Sequence, residues 1–527
     1  MLNDKDMLNY NRRKKQAFVN SRLIIEMFSS ELQAKKEMFH GIFYIRNENE
    51  VMDLLKKLIE KVESKARHIQ PDWSISIILE AIGISYYGNS VKNKKMGIFL
   101  KRALVYLWKS NNGFADKKNI ESILEIIRLS YVIENLYACR RFFLVIENFS
   151  FKLNGGYCIF KAEDIHTINE FCYLLKGKGR RLRIAKENSN LMCTKSEEFL
   201  NALQNILEGE NPNSITIFKD TFYEHIPSIS NNECKKFWQG LYTRYSLFRF
   251  ALINECLEKT EKKEEDFCPS VTLFPEFSLI INPDYCTQEI VKDIFWTKKW
   301  IKSKDNELYS NLIVERPILR ITQNGDFATC SALIGDSINN FVEKQIFDYP
   351  FREPKINLPP FVFKSAISAP FENKVISEFR KKGFLAGHVS DNGAWQVQNK
   401  TISLNCTLKL YGEIDALAYM SDLNLSILVE CKVLNDVNDY RSYKNIISKI
   451  VDDDEGFQSK LLEKSKWVNK VLTDYYKKDI STVCVLLTDI SLPIVNFHNE
   501  DIIFTSYDLF FQGIEQILSE FKHPDGI

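Results

Sequence analysis

Four charged side chains lie at the outer ends of two apolar segments in residues 412–434, GEIDALAYMSDLNLSILVECKVL. Glu413 and Asp415 stand at the start of the first segment, and Glu430 and Lys432 stand at the end of the second. Charged groups in sequence that otherwise suits a buried sheet are costly unless they are paired or have a function. These four residues are therefore the first candidates for a site that does chemistry.

The two segments predict antiparallel strands joined by a four-residue loop at 421–424. In that register Asp415 lies opposite Glu430, with the Cβ atoms of the two acids about 5 Å apart. Glu413 lies opposite Lys432, and all four side chains share one face of the sheet. A slip of one residue would turn the charges into the core, although a slip of two residues keeps the same faces. The opposite face holds only apolar residues, namely Ile414, Ala416, Ala418, Ile427, Val429, Cys431 and Val433.

Two carboxylates at this distance raise each other's pKa unless a cation lies between them. Their oxygens, with the backbone carbonyl of Cys431 as a further donor, favour Mg²⁺ or Mn²⁺ over zinc. Such an ion lowers the pKa of a bound water and neutralises charge that develops on a phosphoryl group, while Lys432 can orient or deprotonate the water. The pattern therefore predicts an Mg²⁺-dependent or Mn²⁺-dependent enzyme that hydrolyses phosphodiester bonds.

A structural interpretation of the same residues is an ion pair between Glu413 and Lys432 on a solvated face of the sheet. It leaves Asp415 and Glu430 facing each other without a cation, which makes it the less favourable interpretation. The tripeptide Glu-Cys-Lys is not specific by itself, because it also occurs at 233–235 with no alternating strand before it.

The elements around this candidate site alternate between helical and extended patterns. After a Pro-punctuated connector at 349–361, we predict a helix at 370–384, extended segments at 395–419, strands at 425–434, 482–488 and 502–506, and helices at 456–476 and 507–521. This order predicts an α/β domain at 362–527, with helices packed on a sheet.

At this point the residues resemble a known family. GEIDALAY followed by ILVECK resembles the D…(D/E)xK core of the PD-(D/E)XK, or restriction-endonuclease-like, nuclease superfamily. The resemblance covers residues 365–520. The chain has no literal Pro-Asp motif at the first acid, because Glu-Ile precedes Asp415. It implies that Asp415 and Glu430 are metal ligands and that Lys432 is the catalytic lysine.

The resemblance also extends to neighbouring helices. The helix FENKVISEFRKKGF resembles the one that opens this fold, which makes Glu372 a further catalytic acid. Gln458 corresponds to a helical glutamine that some branches place near the site, and Glu413 is an accessory candidate. The implied activity is that of an endonuclease that cuts DNA, or less favourably RNA, in a restriction-like or anti-phage defence setting.

Residues 1–348 have a different sequence pattern from the C-terminal domain. Residues 1–210 have apolar residues at helical spacing, which predicts a helical domain. Residues 211–348 mix a helix at 235–260 with a hairpin at 316–334, whose turn signal is Asn-Gly-Asp. The predicted fold class is thus a multidomain protein, with a mostly α N-terminal region that carries a small β-hairpin element, and a C-terminal α/β restriction-endonuclease-like domain.

A basic segment in the helical region is a candidate nucleic-acid contact. LLKGKGRRLRIAKE places six cations within eleven positions, and two glycines loosen the backbone between the first five, which precede Lys186. A loop that contacts phosphates is one interpretation, and a solvated basic turn is the other. The five residues are Lys176, Lys178, Arg180, Arg181 and Arg183.

Composition restricts the possible partners and compartment. The chain of 527 residues has 70 Lys and Arg against 69 Asp and Glu, so local basic patches must bind any nucleic acid. The 12 cysteines include no CxxC pair, and the N-terminus has no apolar signal region. We therefore expect a reduced, cytoplasmic protein with no membrane span.

Three functional hypotheses remain open from the sequence. The leading one is a nuclease whose N-terminal region recognises substrate, partner or trigger, with nucleic acid, DNA before RNA, as partner and with a homodimer or a protein partner possible. The second is a non-catalytic scaffold that uses a nuclease fold to bind nucleic acid or protein. The third is a nuclease subunit that is active only within a larger complex.

Overall fold

The computed structural model describes residues 4–87, 91–110, 115, 117–175, 189–209, 231–261, 272–274, 281–320, 327–346, 364, 368–404, 412–434, 440–451, 456–489, 492 and 501–522. Among these residues no helix combines the length and the apolar character needed to cross a membrane.

The chain divides into two compact units. The helical region predicted at 1–210 and the mixed region predicted at 211–348 supply nearly all of the first unit, and residues 362–527 supply most of the second. The predicted linker at 349–361 lies outside the described residues. The first unit comprises 1–143, 148–162 and 181–359, and the second comprises 144–147, 163–180 and 360–527.

The region before the predicted linker is mostly helical, as predicted. The helix predicted at 235–260 is confirmed, and helices also make up most of the described part of the predicted helical region at 1–210. The helices are α1 (Asp4–Gln33), α2 (Glu48–Ala66), α3 (Pro71–Tyr87), α4 (Val91–Lys109), α5 (Ile120–Arg140), α6 (Ala162–Leu175), α7 (Ser189–Leu207), α8 (Asn231–Glu261), α9 (Gln288–Lys292), α10 (Lys298–Lys302), α11 (Tyr309–Glu315) and α12 (Ser331–Ile346).

Helix α2 shows how the local sequence specifies these elements. Leu54, Leu58 and Val62 repeat at helical spacing and are buried against the rest of the unit. Asn47 caps the helix, because its side chain accepts a hydrogen bond of 3.0 Å from the backbone N–H of Glu50. The buried stripe and the cap together set where this helix begins and which face it buries.

Two small antiparallel sheets accompany these helices. The predicted hairpin is confirmed by the pairs Leu319↔Ala328 and Arg320↔Phe327, and its turn lies outside the described residues. The other sheet was not predicted, although Gly155 and Gly156 have the positive φ angles of a two-residue hairpin turn. The strands are β1 (Ile42–Ile45), β2 (Phe151–Asn154), β3 (Tyr157–Phe160), β4 (Thr272–Phe274), β5 (Leu319–Arg320) and β6 (Phe327–Thr329), in the orders β1-β2-β3 and β4-β6-β5.

The C-terminal region is a mixed sheet of seven strands with helices, in the order β13-β12-β11-β10-β7-β8-β9. Strands β11, β12 and β13 run parallel, and the remaining neighbours pair antiparallel. The elements are β7 (Leu385–Val389), β8 (Ala394–Val397), β9 (Lys400–Ser403), β10 (Ile414–Met420), β11 (Leu425–Lys432), β12 (Ser481–Thr488), β13 (Ile502–Ser506), α13 (Ala369–Lys381), α14 (Tyr440–Val451), α15 (Phe457–Tyr476) and α16 (Tyr507–Lys522).

The sheet is covered by helices on both faces. Helix α15 packs on one face, where its Tyr476 stacks on Tyr419 of β10 with ring centroids 4.4 Å apart. Helices α13 and α16 cover the other face, and five of the seven apolar residues predicted for that face belong to the core beneath them. The core on that side includes Val375, Phe379, Ala416, Ala418, Ile427, Val429, Cys431, Val485, Leu487, Phe510 and Ile514.

The predicted register of the central hairpin is confirmed. Strands β10 and β11 pair from Ala416↔Val429 to Met420↔Leu425, and a four-residue loop joins them at 421–424. Because side chains alternate along each strand, this register separates the apolar residues that face α13 and α16 from the polar ends that face α15. The fold thereby brings the candidate acids to one end of the two central strands, the edge of the sheet at which β10 begins and β11 ends.

Candidate active site

The two acids stand at the end of the paired strands β10 and β11. Continued by one residue, the observed register places Asp415 opposite Glu430. The side chain of Asp415 reaches across to the neighbouring strand, where its Oδ2 accepts a hydrogen bond of 2.7 Å from the backbone N–H of Cys431. This bond fixes the carboxylate of Asp415 against β11 at the level of Glu430.

Two lysines bind the carboxylate of Glu430, one at each oxygen. The ammonium of Lys432 lies 2.6 Å from Oε1, and that of Lys464 lies 2.8 Å from Oε2. Lys464 comes from α15 and also donates a hydrogen bond of 2.6 Å to the backbone carbonyl of Glu413. Glu430 is therefore held by its own strand and by the helix that covers this face.

The charges of the two acids are not balanced equally. Burial, followed by the charge of Glu430, raises the pKa of Asp415 to about 7. Burial would also raise the pKa of Glu430, but Lys432 and Lys464 outweigh it and lower that pKa below its ordinary value. Asp415 is thus the acid whose negative charge is not fully compensated.

Lys432 is an ammonium ion in this arrangement. Burial disfavours its charge, but Glu430 and then Asp415 outweigh burial and raise the pKa of Lys432 above its ordinary value. Its Nζ also lies 4.7 Å from the centroid of the Phe457 ring, within cation–π range. The side chain of Lys432 is 25% exposed, so it is only partly buried.

Glu372 lies in the first turn of α13, close enough to act electrostatically on the other acids. Burial raises the pKa of Glu372, while Lys364 lowers it and Glu413 raises it. Its charge also contributes to the raised pKa of Asp415. The helix predicted to carry a further acid therefore does bring Glu372 to this edge of the sheet.

Glu413 has different partners from those predicted. Its Oε2 is 2.7 Å from the ammonium of Lys364 and 3.6 Å from Nε2 of His388 on β7. The ion pair between Glu413 and Lys432 that the structural interpretation requires is wrong, because Lys432 bonds along its own strand to Glu430.

The solvated sheet face required by the structural interpretation is wrong as well. Leu417 and Leu428, the neighbours of the acids on the same face, are fully buried. The reason is that α15 packs on this face of the sheet. The charged residues therefore lie at the border of a buried face, not on a face exposed to solvent.

Gln458, the accessory glutamine candidate, is buried at the start of α15. Its amide donates a hydrogen bond of 2.9 Å to the backbone carbonyl of Ile450 in α14. This contact links the two helices, and a role of Gln458 near the acids stays a prediction. The five basic residues of the candidate phosphate loop, Lys176, Lys178, Arg180, Arg181 and Arg183, lie outside the described residues.

Lys464 is the residue that sequence reasoning missed. It occupies a position on the buried stripe of α15, between Leu461 and Val468. A lysine in an apolar stripe is a signal for a buried ionic partner, because lysine is seldom fully buried unless it is paired. The signal was present in the sequence, but nothing local identified Glu430 as the partner.

The donor set at this edge suits a hard divalent cation. Asp415 and Glu430 supply carboxylate oxygens, and the carbonyl of Cys431 stays a predicted third donor. In the described residues no three His, Cys, Asp or Glu side chains form a group that could hold a metal. Mg²⁺ commonly uses only one or two protein carboxylates and completes its coordination with water and phosphate oxygens. The incompletely compensated charge of Asp415 fits such an ion.

Similarity to known proteins provides no parallel for this site. Comparison of the chain with protein-family models, with curated proteins and with solved structures finds no match.

Proposed function

We propose that the C-terminal region is a divalent-metal-dependent endonuclease of the restriction-endonuclease-like kind. The observation that carries the proposal is the opposition of Asp415 and Glu430 at the ends of paired strands, with the ammonium of Lys432 bound to Glu430. Support comes from the incompletely compensated charge of Asp415 and from the position of Glu372 nearby.

In this proposal Asp415 and Glu430 would hold Mg²⁺ or Mn²⁺, and the carbonyl of Cys431 would be a third donor. Bound there, the ion would make a water more acidic and neutralise charge on the phosphate. Glu372 adds negative charge at the same edge, which favours a cation at the site.

Lys432 acts as a cation in this proposal, not as a base. Its raised pKa keeps the side chain protonated at neutral pH, so it stabilises charge on a phosphate oxygen. Its partial exposure allows it to leave Glu430 for a substrate.

The resemblance to restriction-endonuclease-like nucleases carries the rest of the proposal. It favours DNA over RNA and a restriction-like or anti-phage role in the cytoplasm. The helical N-terminal region then recognises substrate, partner or trigger, and the basic residues at 176–183 are candidates for phosphate contacts. A homodimer or a protein partner is compatible with this role.

One observation favours a second candidate function. Both oxygens of Glu430 are bound by ammonium groups, as in a buried ion cluster that only stabilises a fold. On this view the region is a non-catalytic scaffold that binds nucleic acid or protein. The two proposals differ in whether Asp415 binds a metal.

A cleavage assay tests the proposed activity. The full chain is incubated with supercoiled plasmid, linear duplex DNA, single-stranded DNA or RNA, in Mg²⁺, Mn²⁺ or EDTA. We expect metal-dependent cutting that Asp415→Asn and Lys432→Ala each reduce by about 100-fold or more. Lys382→Ala is the matched control, because Lys382 has nearly the same exposure, 24%, but pairs with Glu515 away from the site.

Binding of Mn²⁺, followed by its electron paramagnetic resonance, separates the two candidate functions. The nuclease proposal requires Mn²⁺ binding that Asp415→Asn weakens. A wild-type chain that cuts nothing and binds no Mn²⁺ through Asp415 would contradict the proposal and favour the scaffold. A chain that binds Mn²⁺ through Asp415 but cuts nothing alone would indicate a nuclease subunit that needs its complex.

A further inference from the structure

The two lysines on Glu430 are held very differently. Lys464 has a side-chain exposure of 7%, whereas that of Lys432 is 25%. Lys464 donates to Oε2 of Glu430 and to the carbonyl of Glu413, so it joins α15 to β11 and to the residue that precedes β10. Lys432 has one carboxylate partner, Oε1 of Glu430, and the face of the Phe457 ring.

This difference decides which ammonium can move. Displacing Lys464 would leave a buried charge without its partner and would free the carbonyl of Glu413, both of which are costly. Displacing Lys432 breaks its ion pair with Glu430 and its contact with the Phe457 ring, and a phosphate oxygen offers an equivalent charged partner in place of the carboxylate. Lys432 is therefore the ammonium that can leave, and Lys464 is the one that stays.

We infer that Lys464 is a positioning residue of the active site: it holds Glu430 through Oε2, so that Oε1 can pass from Lys432 to a divalent cation. This inference rests on the proposed function. It adds Lys464 to the residues of the site, although Lys464 is not part of the D…(D/E)xK motif. In the same exchange Lys432 becomes free to contact the phosphate, while the carboxylate of Glu430 keeps its orientation.

A purely structural role of Lys464 makes a different prediction. If the residue only joins α15 to the hairpin, its loss lowers stability but leaves the metal affinity of the folded chain unchanged. Val468 provides the matched control, because it is fully buried one turn further along the same face of α15. Val468→Ala loosens the same helix without touching Glu430.

The experiment measures Mn²⁺ affinity in the full chain by electron paramagnetic resonance, at a temperature where circular dichroism shows each variant to be folded. We expect Lys464→Gln to weaken Mn²⁺ binding by about 10- to 100-fold, the usual effect of removing a residue that orients a metal ligand. Lys464→Arg keeps a cation on Oε2 and stays within about threefold of wild type, as does Val468→Ala. In the cleavage assay kcat falls with Lys464→Gln, while KM for DNA stays within about threefold.

The outcomes separate this inference from the proposed function. Wild-type Mn²⁺ affinity in Lys464→Gln, or an equal loss in Val468→Ala, overturns the inference, while a loss in Asp415→Asn in the same experiment keeps the nuclease proposal. If Asp415→Asn has no effect, the nuclease proposal itself fails. If Lys464→Gln does not fold, Lys464→Arg decides, and a loss of about tenfold or more in that variant overturns the inference.

Discussion

Asp415 and Glu430 are acids of the same chemistry on neighbouring strands, yet their pKa values move in opposite directions. Glu430 has two ammonium groups on its oxygens, and its pKa is lowered despite burial. Oδ2 of Asp415 accepts a hydrogen bond from the backbone N–H of Cys431, and burial and the charge of Glu430 raise the pKa of Asp415. Whatever the site binds, Asp415 is the place where a further positive charge is most stabilising.

The ionised form of Asp415 should therefore weaken the metal-free protein. A carboxyl group whose pKa is about 7 when folded and about 3.9 when unfolded loses its stabilising contribution as the pH rises from about 4 to about 7. Asp415→Asn imitates the neutral acid, so in EDTA it should stabilise the fold at pH 8 by roughly 1–3 kcal/mol and change little at pH 4. Thermal unfolding followed by circular dichroism at both pH values measures this difference.

The control for this experiment is Asp422→Asn, in the exposed loop of the same hairpin. It should change the free energy of unfolding by less than about 0.5 kcal/mol at either pH. A lower unfolding temperature for Asp415→Asn than for wild type at pH 8 would show that the charge of Asp415 is compensated in the folded chain.

At the scale of elements, the close approach of β7 and β8 depends on a glycine. A Cβ atom added to Gly387 would lie 1.6 Å from the carbonyl oxygen of Gln396, a distance that no adjustment of a side chain relieves. Gly387→Ala should therefore push β8 from β7 and destabilise the fold by about 2 kcal/mol or more. Urea unfolding of the full chain gives the change in free energy.

Gly513→Ala is the matched control for that substitution. Gly513 lies on the exposed side of α16, and a Cβ atom there meets nothing within 4 Å. Because alanine favours the helix, this variant should gain about 0.5–1 kcal/mol. Equal losses from both substitutions would contradict the account of the β7 and β8 approach.

The central hairpin was predictable because one face of both strands is apolar throughout and the charged residues fall on the other face. Apolar residues occupy every second position through β10 and β11, and a one-residue slip would bury charge, so the faces of both strands follow. A two-residue slip would keep those faces, and the opposition of Asp415 and Glu430 depended in addition on the loop of four residues. Helix α13 and strands β12 and β13 also lie where their patterns predicted them, with shifts of a few residues at the ends.

The partners of the charged residues were not predictable in the same way. Lys464 contacts Glu430 from 34 residues further along the chain, and Lys364 contacts Glu413 from 49 residues before it. Periodicity reports which face of an element a residue takes, but it does not report which distant element covers that face. Strands β1, β2 and β3 were not predicted for another reason. Each has only four residues and lies beside long helical segments, so its alternation is too short to recognise.

At the scale of the first unit, a single buried arginine joins segments that are far apart in the chain. Arg102 of α4 is fully buried, and its Nε donates a hydrogen bond of 2.6 Å to Glu134 of α5. Its other nitrogens donate to the backbone carbonyls of Asn306 and Glu307, at 2.6 Å and 2.9 Å. The predicted helical region and the predicted mixed region therefore share this polar centre.

Removing this side chain should destabilise the protein strongly. Arg102→Ala leaves the charge of Glu134 and the two carbonyls without their donor, which typically costs about 3–5 kcal/mol. Unfolding in urea measures the change. Arg67→Ala, at an exposed arginine on the surface of the same unit, should stay within about 0.5 kcal/mol of wild type. A loss below about 1 kcal/mol in Arg102→Ala would show that water replaces the guanidinium without penalty.

The order of the acids and their lysines along the chain has a consequence for synthesis on the ribosome. Asp415, Glu430 and Lys432 emerge together on one hairpin, whose short loop lets it close at once, but Lys464 follows 34 residues later. At about 5–20 residues per second, the acid pair exists for about two to seven seconds with one of its two lysines. Until Lys464 of α15 follows, the acid pair therefore lacks one of its two ammonium partners, so its charges are balanced only after the hairpin that carries them has been made.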